Sequence, residues 1–188
     1  MGKIQGDLFQ LEGYSVKKLN IEEDLDNLQL LCEKCSDYHQ LAEGKPTSTT
    51  AAKELFNDLP NNKTHEDKIV IGIYDGSNLI AVIDNLIDFP NKGTWFLGLL
   101  MIAPKYRNNG LGEKIYKKYR HWVFDNGSKT IRLGVLYENH KALKFWQRIG
   151  LDIIRKVKGY KTGNRMTSVY IMSDKLEGET DKNDKKNN

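Results

Sequence analysis

Six consecutive residues, Arg107-Asn108-Asn109-Gly110-Leu111-Gly112, carry the strongest chemical signal in this sequence. They separate an apolar run, Thr94–Ile102, from an amphipathic one that starts near Gly110. Such a turn sets several backbone N–H groups at a helix N-terminus, where they have no intrahelical acceptor and the helix dipole favours an anion. Glycine lets an anion approach the backbone and permits positive φ, and Arg107 adds a charged donor at the rim. The chemistry this suits is phosphate binding, although a glycine pair before a helix can also be turn chemistry alone. A dinucleotide fingerprint fails, because Ile115 stands where its third glycine belongs. A nucleoside-triphosphate loop fails as well, because the chain has no Gly-Lys-Ser or Gly-Lys-Thr.

The periodicity predicts the elements that must position this loop. Tyr14–Asn20 reads as a strand and Glu22–Glu43 as one helix, with Leu25, Leu28, Cys32 and Cys35 on a single face. A short helix over Thr50–Leu59 closes at Pro60. Lys68–Tyr74 and Leu79–Asp88 form a hairpin about Asp75-Gly76, and Thr94–Ile102, nearly all apolar, reads as a central strand buried on both faces. A helix follows from Gly110 to Asn126, with Leu111, Ile115, Tyr119, Trp122 and Val123 as its stripe. Then come a strand at Thr130–Leu136, a helix capped by Asn139 and stopped by Gly150, and strands at Leu151–Lys158 and Met166–Ser173. This order predicts an α/β (α+β) fold, a mixed sheet with helices on its faces.

Charge is uneven along the chain. Between Ala103 and Lys158 there are 14 Lys/Arg against 4 Asp/Glu, whereas residues 1–60 hold 6 against 11. The basic half suits a polyanionic ligand and the acidic half a cationic one, although solvated lysine faces would give the same count. No apolar run reaches membrane-spanning length and no secretory core precedes the domain, so a cytoplasmic location without membrane is expected. Gly6 stands where a myristoylation signal needs Ser or Thr. Cys32-x-x-Cys35 with His39 lacks a fourth ligand at metal spacing, so packing on an apolar helix face is expected and no metal. Residues 1–174 are expected as one domain, with a disordered polar tail from Lys175 to Asn188 whose charges cancel. No basic segment interleaved with aromatics suggests nucleic-acid binding.

The loop matches Arg/Gln-x-x-Gly-x-Gly/Ala, and about thirty residues on, Asn139-His140-Lys141-Ala142-Leu143-Lys144-Phe145-Trp146-Gln147-Arg148-Ile149-Gly150-Leu151 matches Asn-x-x-Ala-x-x-Phe-Tyr-x-x-x-Gly-Phe. These two motifs, in this order and spacing, resemble those of the GNAT (Gcn5-related) N-acetyltransferases over Val70–Ser173. Asp37–Gly44 is similar to an N-terminal motif of one bacterial branch. The resemblance implies a single-domain fold with a mixed, mostly antiparallel sheet whose central parallel strands splay apart, and acetyl-CoA as co-substrate. Its pantetheine arm would pair with the backbone of Met101 and Ile102. Its pyrophosphate would rest on Arg107, Asn108, Asn109, Gly110, Leu111 and Gly112. Asn139 would bond the arm, or simply cap its helix, while Ala142, Phe145 and Trp146 would wall the far end, or simply form core.

The implied reaction is direct transfer to a primary amine of a small molecule or peptide. A base is needed to remove the proton, and a donor such as the Leu100 or Met101 N–H would face the developing oxyanion. Here the sequence departs from the family. Trp146 occupies the place of the usual tyrosine, which leaves solvent, Tyr137 or Tyr170 as substitute acids. The central strand also lacks an acid, so Asp84 and Glu138 are the nearest candidate bases, each equally readable as a surface or structural carboxylate. Tyr38, His39 and Glu43 would line the acceptor pocket if the branch resemblance holds. A GNAT-fold module that binds acyl-CoA without turnover, and a transferase acting on aminoacyl-tRNA, are the competing readings. A homodimer is compatible with any of them.

Overall fold

A computed structural model describes residue 4 and residues 6–176. Seven strands form one sheet: β1 (Ser15–Lys18), β2 (Lys68–Asp75), β3 (Asn78–Leu86), β4 (Thr94–Ile102), β5 (Thr130–Leu136), β6 (Asp152–Thr162) and β7 (Arg165–Lys175). The order across it is β1-β2-β3-β4-β5-β7-β6, antiparallel throughout except for the parallel pair β4–β5. Parallel neighbours need a crossover, and α4 (Leu111–Asp125) supplies it. Its stripe Leu111, Ile115, Tyr119, Trp122 and Val123 is buried on one sheet face, together with Trp146 of α5 (His140–Arg148) and with Phe9 and Leu11. The opposite face is covered by α1 (Ile21–Lys34), α2 (Ser36–Glu43) and α3 (Ala51–Asn57), through Leu28, Leu31, Cys32, Cys35, Ala52 and Phe56.

Three expectations change. The helix expected over Glu22–Glu43 is two helices, broken at Cys35, whose backbone (φ −100°, ψ 30°) ends α1. No glycine or proline marks the break; there the Cys35 thiol donates to the Ile102 carbonyl of β4 (3.5 Å). The last two strands run past their expected ends, because Gly163 (φ 51°) allows a tight turn that pairs Thr162 with Arg165. Finally, β4 is not buried along its whole length, since Gly98 is exposed and Leu99, Leu100 and Ile102 are only half-buried.

The end of the domain also moves. Lys175 still pairs in β7, and Leu176 is buried with its N–H donating to Lys129. Lys175 and Leu176, the first residues of the expected polar tail, are thus held at the end of the sheet, and the rest of that expectation, residues 177–188, lies outside the described residues. Among the described residues no helix is long and apolar enough to cross a membrane.

Candidate active site

The site begins where β4 and β5 part. They pair from Thr94–Thr130 to Leu97–Leu133 and no further, although β4 continues to Ile102 and β5 to Leu136. The cause is a β-bulge: Asn85 of β3 faces Leu97 and Asp84 faces Leu99, so Gly98 is an extra residue on β4. Beyond it, one edge of β4 stays on β3 and the other leaves β5. The unpaired edge is a strand-shaped opening, suited to an extended chain with amide groups.

The 107–112 loop lies at the same end. Asn108 (φ 63°) and Gly110 (φ 83°) are both left-handed, and Gly110 heads α4 without a side-chain cap. Such alternation turns successive N–H groups inward as an anion nest, with the first-turn amides of α4 beside it. Gly112 is needed for another reason. A Cβ there would stand 3.3 Å from Ile102 Cδ1 and 3.4 Å from Phe145 Cζ, so its absence lets the loop, β4 and α5 close up. The Leu111 N–H is already satisfied by Asn109 Oδ1 (3.1 Å). The loop, the open strand edge and the half-buried Ala142 and Phe145 suit a phosphate-bearing, amide-containing ligand.

Arg107 is placed differently from its expected role as a free rim donor. Its guanidinium grips Asp37 of α2 (2.5 and 3.2 Å), and its Nε donates to the Ile102 carbonyl (2.6 Å). The Ile102 carbonyl also accepts from Cys35 Sγ (3.5 Å), so an incoming chain would find that acceptor occupied. Asn139 caps α5 by accepting from the Ala142 N–H (3.1 Å). Trp146 is buried edge-on against Tyr116 and Phe145 and presents no acid.

On the α1–α3 side, a cleft of about 490 Å³ opens onto β3 and β4. Tyr38, His39 and Glu43 of α2 line it, with Asp84, Leu99 and Met101 on the sheet side. Asp84 sits at the strand parting, since a Cβ on Gly98 would stand 3.0 Å from its Oδ2. Lys68 Nζ donates to that oxygen (3.0 Å) and to the Asp58 carbonyl (2.8 Å). Burial pushes the Asp84 pKa up to about 6 even against the Lys68 charge, so the group both ionises and re-protonates near neutrality. Its Oδ1 is buried without a partner among the described residues. Tyr38 brings a hydroxyl that burial keeps protonated, its pKa raised to about 12.

The other expected acid–base residues are not in this cleft lining. Glu138 accepts from Thr167 Oγ1 (2.6 Å), which holds its carboxyl below the usual range and weakens it as a base. Tyr170 lies beside Tyr137, with Lys156 over both rings. Cys32 and Cys35 are buried thiols whose pKa values burial raises, as packing groups would be.

Sequence reasoning missed Lys68, and it missed that the helix expected over Thr50–Leu59 lines the cleft, which α3 does through Ala51, Glu54 and Leu55 at i, i+3 and i+4, with Asp58 just past its end. That spacing is legible in the sequence. The Lys68–Asp84 pairing follows only from the hairpin register, in which Val70 faces Asp84 and Lys68 lies diagonally across.

Residues 29–151 match the model of the acetyltransferase (GNAT) family. Among characterised relatives, the chain is similar to the thialysine N-ε-acetyltransferase of Bos taurus, 25% identical over 145 residues that cover 74% of this chain and 85% of that protein. Among solved structures it resembles the ribosomal-protein-S18-alanine N-acetyltransferase of Escherichia coli (TM-score 0.64, 15% identity, 89% of this chain and 97% of that one). It also resembles an acetyltransferase of Thermus thermophilus (TM-score 0.66, 17% identity, 87% and 97%).

Proposed function

The chain belongs to the acetyltransferase (GNAT) family, and from that premise we propose that it moves an acetyl group from acetyl-CoA directly to a primary amine, with Asp84 as the proton acceptor. The observation that carries this reading is the parting of β4 from β5 at Gly98, which brings the cofactor opening and the Asp84 carboxylate to one point. When bound, acetyl-CoA supplies an activated acyl group. The amides of the 107–112 loop would hold its pyrophosphate, and the free edge of β4 near Leu100 and Met101 its pantetheine arm. The relatives named as N-acetyltransferases support the reaction class.

An alkyl ammonium of pKa ~10.4 is unreactive until it loses a proton. Asp84 lines the cleft, with Oδ2 held by Lys68 and Oδ1 buried without a partner among the described residues, so its carboxylate is the group placed to take the amine's proton, directly or through a water. Tyr38 stays protonated at neutral pH and is the cleft hydroxyl suited to return a proton to the leaving thiolate. The absence of an acid at Trp146 favours a second reading, an acyl-CoA-binding module without turnover. Thiol release from acetyl-CoA across a panel of primary amines tests both. Release that falls on Asp84→Asn supports the transferase, and acetyl-CoA binding with no release from any amine supports the module.

A further inference from the structure

We propose that the acidic cleft holds a second positive charge of the acceptor on Glu54 of α3 and on Asp58 just past its end, so that the chain selects diamines over monoamines; this rests on the acetyl-transfer reading above. Four carboxylate residues, Glu43, Glu54, Asp58 and Asp84, line the cleft, and no Lys or Arg belongs to its lining. Two of the four already face cations, Glu43 with Lys45 (3.1 Å) and Asp84 with Lys68 (3.0 Å). Glu54 and Asp58 have no cation at ion-pair distance among the described residues. Glu54 lies on α3 and Asp58 is the extended residue just past its end, and both line the cleft.

Glu54 is built to stay ionised and oriented. Its Oε1 accepts from Thr50 Oγ1 (2.5 Å) and Ser48 Oγ (3.0 Å), and these hydroxyls lower its pKa without neutralising it. The deeper part of the cleft also lacks partners. His39 is 9% exposed with no partner for Nε2, and Asp84 Oδ1 has none either. Buried polar atoms left open in a cavity lining are groups that a ligand completes. The reacting amine then lies at Asp84 and the second ammonium at Glu54 and Asp58. A carboxylate on the acceptor would meet like charge, so the class is an aliphatic diamine rather than an amino acid.

The test is calorimetric titration of the full chain, saturated with coenzyme A, with α,ω-diamines, monoamines of equal chain length and lysine. The native chain is expected to bind the best diamine about tenfold more tightly than its matched monoamine, and more tightly than lysine. Glu54→Gln and Asp58→Asn should each shrink that margin while leaving monoamine and acetyl-CoA affinities unchanged. Equal affinity for diamine and monoamine, a margin that survives both substitutions, or tighter binding of lysine would overturn the second-charge site. A folded native chain that fails to bind acetyl-CoA would instead overturn the transfer reading, so the two failures are separable.

Discussion

Two opposing effects nearly cancel at Asp84, which suits it to the base role proposed above. Burial disfavours its charge, Lys68 favours it, and the balance leaves the pKa at about 6. Activity should therefore rise with pH through an acid limb near about 6, as the carboxyl ionises, in a kcat/KM profile. Asp84→Asn is expected to lower kcat by ~10²–10⁴-fold with acetyl-CoA affinity unchanged, measured by thiol release and calorimetry. Lys68→Met removes the favouring charge, so the acid limb should move to higher pH; an unmoved limb would assign it to another group. At this scale the sequence is uneven evidence. The loop from Arg107 to Gly112 was legible because its backbone needs particular residue types. Asp84 was visible only as one of two convenient carboxylates, since its value depends on a bulge at Gly98 and a diagonal to Lys68 that no local pattern encodes. Arg107 read as a phosphate ligand because Asp37, seventy residues away, cannot be paired with it from spacing.

The elements that hold the cleft depend on a few buried polar ties. Asn20 caps α1 by accepting from the Glu23 N–H (2.8 Å), and Asp24 accepts from the Asn20 N–H in return (3.0 Å). Asp24 is buried and also accepts from Tyr74 Oη (3.1 Å) and pairs with Lys17 (2.7 Å). Burial alone would raise its pKa, but the bonds from Lys17, Asn20 and Tyr74 outweigh burial and lower it. A lowered carboxyl contributes stability that is present at neutral pH and lost as pH falls through its folded pKa. Asp24→Ala should cost about 1–3 kcal/mol in urea denaturation at neutral pH, by orphaning the Tyr74 hydroxyl, and the gap to the native chain should narrow on acidification. A gap independent of pH would contradict this. The stripes of α1 and α4 and the hairpin β2–β3 were readable from periodicity. The break at Cys35 was not, because no glycine or proline marks it and the β4 carbonyl that its thiol meets lies 67 residues away.

In the whole molecule, the sheet divides the work between its faces. The basic helices α4 and α5 lie on one face beside the 107–112 loop, the acidic α1–α3 cover the other, and the gap between β4 and β5 joins the two. Arg120 (2.7 Å) and Tyr116 (3.0 Å) bind Asp174, tying α4 to the last strand near where the described chain ends. Acetyl-CoA should bind the folded state alone. At a hundredfold excess over Kd it should add about 2.7 kcal/mol, a rise of roughly 5–10 °C in Tm by thermal melting. The central claim is that the 107–112 loop and the free edge of β4 form an acetyl-CoA site. Calorimetric titration of the native chain with acetyl-CoA tests it most directly, beside a Gly110→Val, Gly112→Val double variant. Position 110 then carries ~1–2 kcal/mol of left-handed strain, and position 112 meets Ile102 and Phe145. The account predicts micromolar binding by the native chain and its loss in a variant that remains folded by circular dichroism. A folded native chain that does not bind acetyl-CoA, or a folded variant that binds it equally well, would contradict the account.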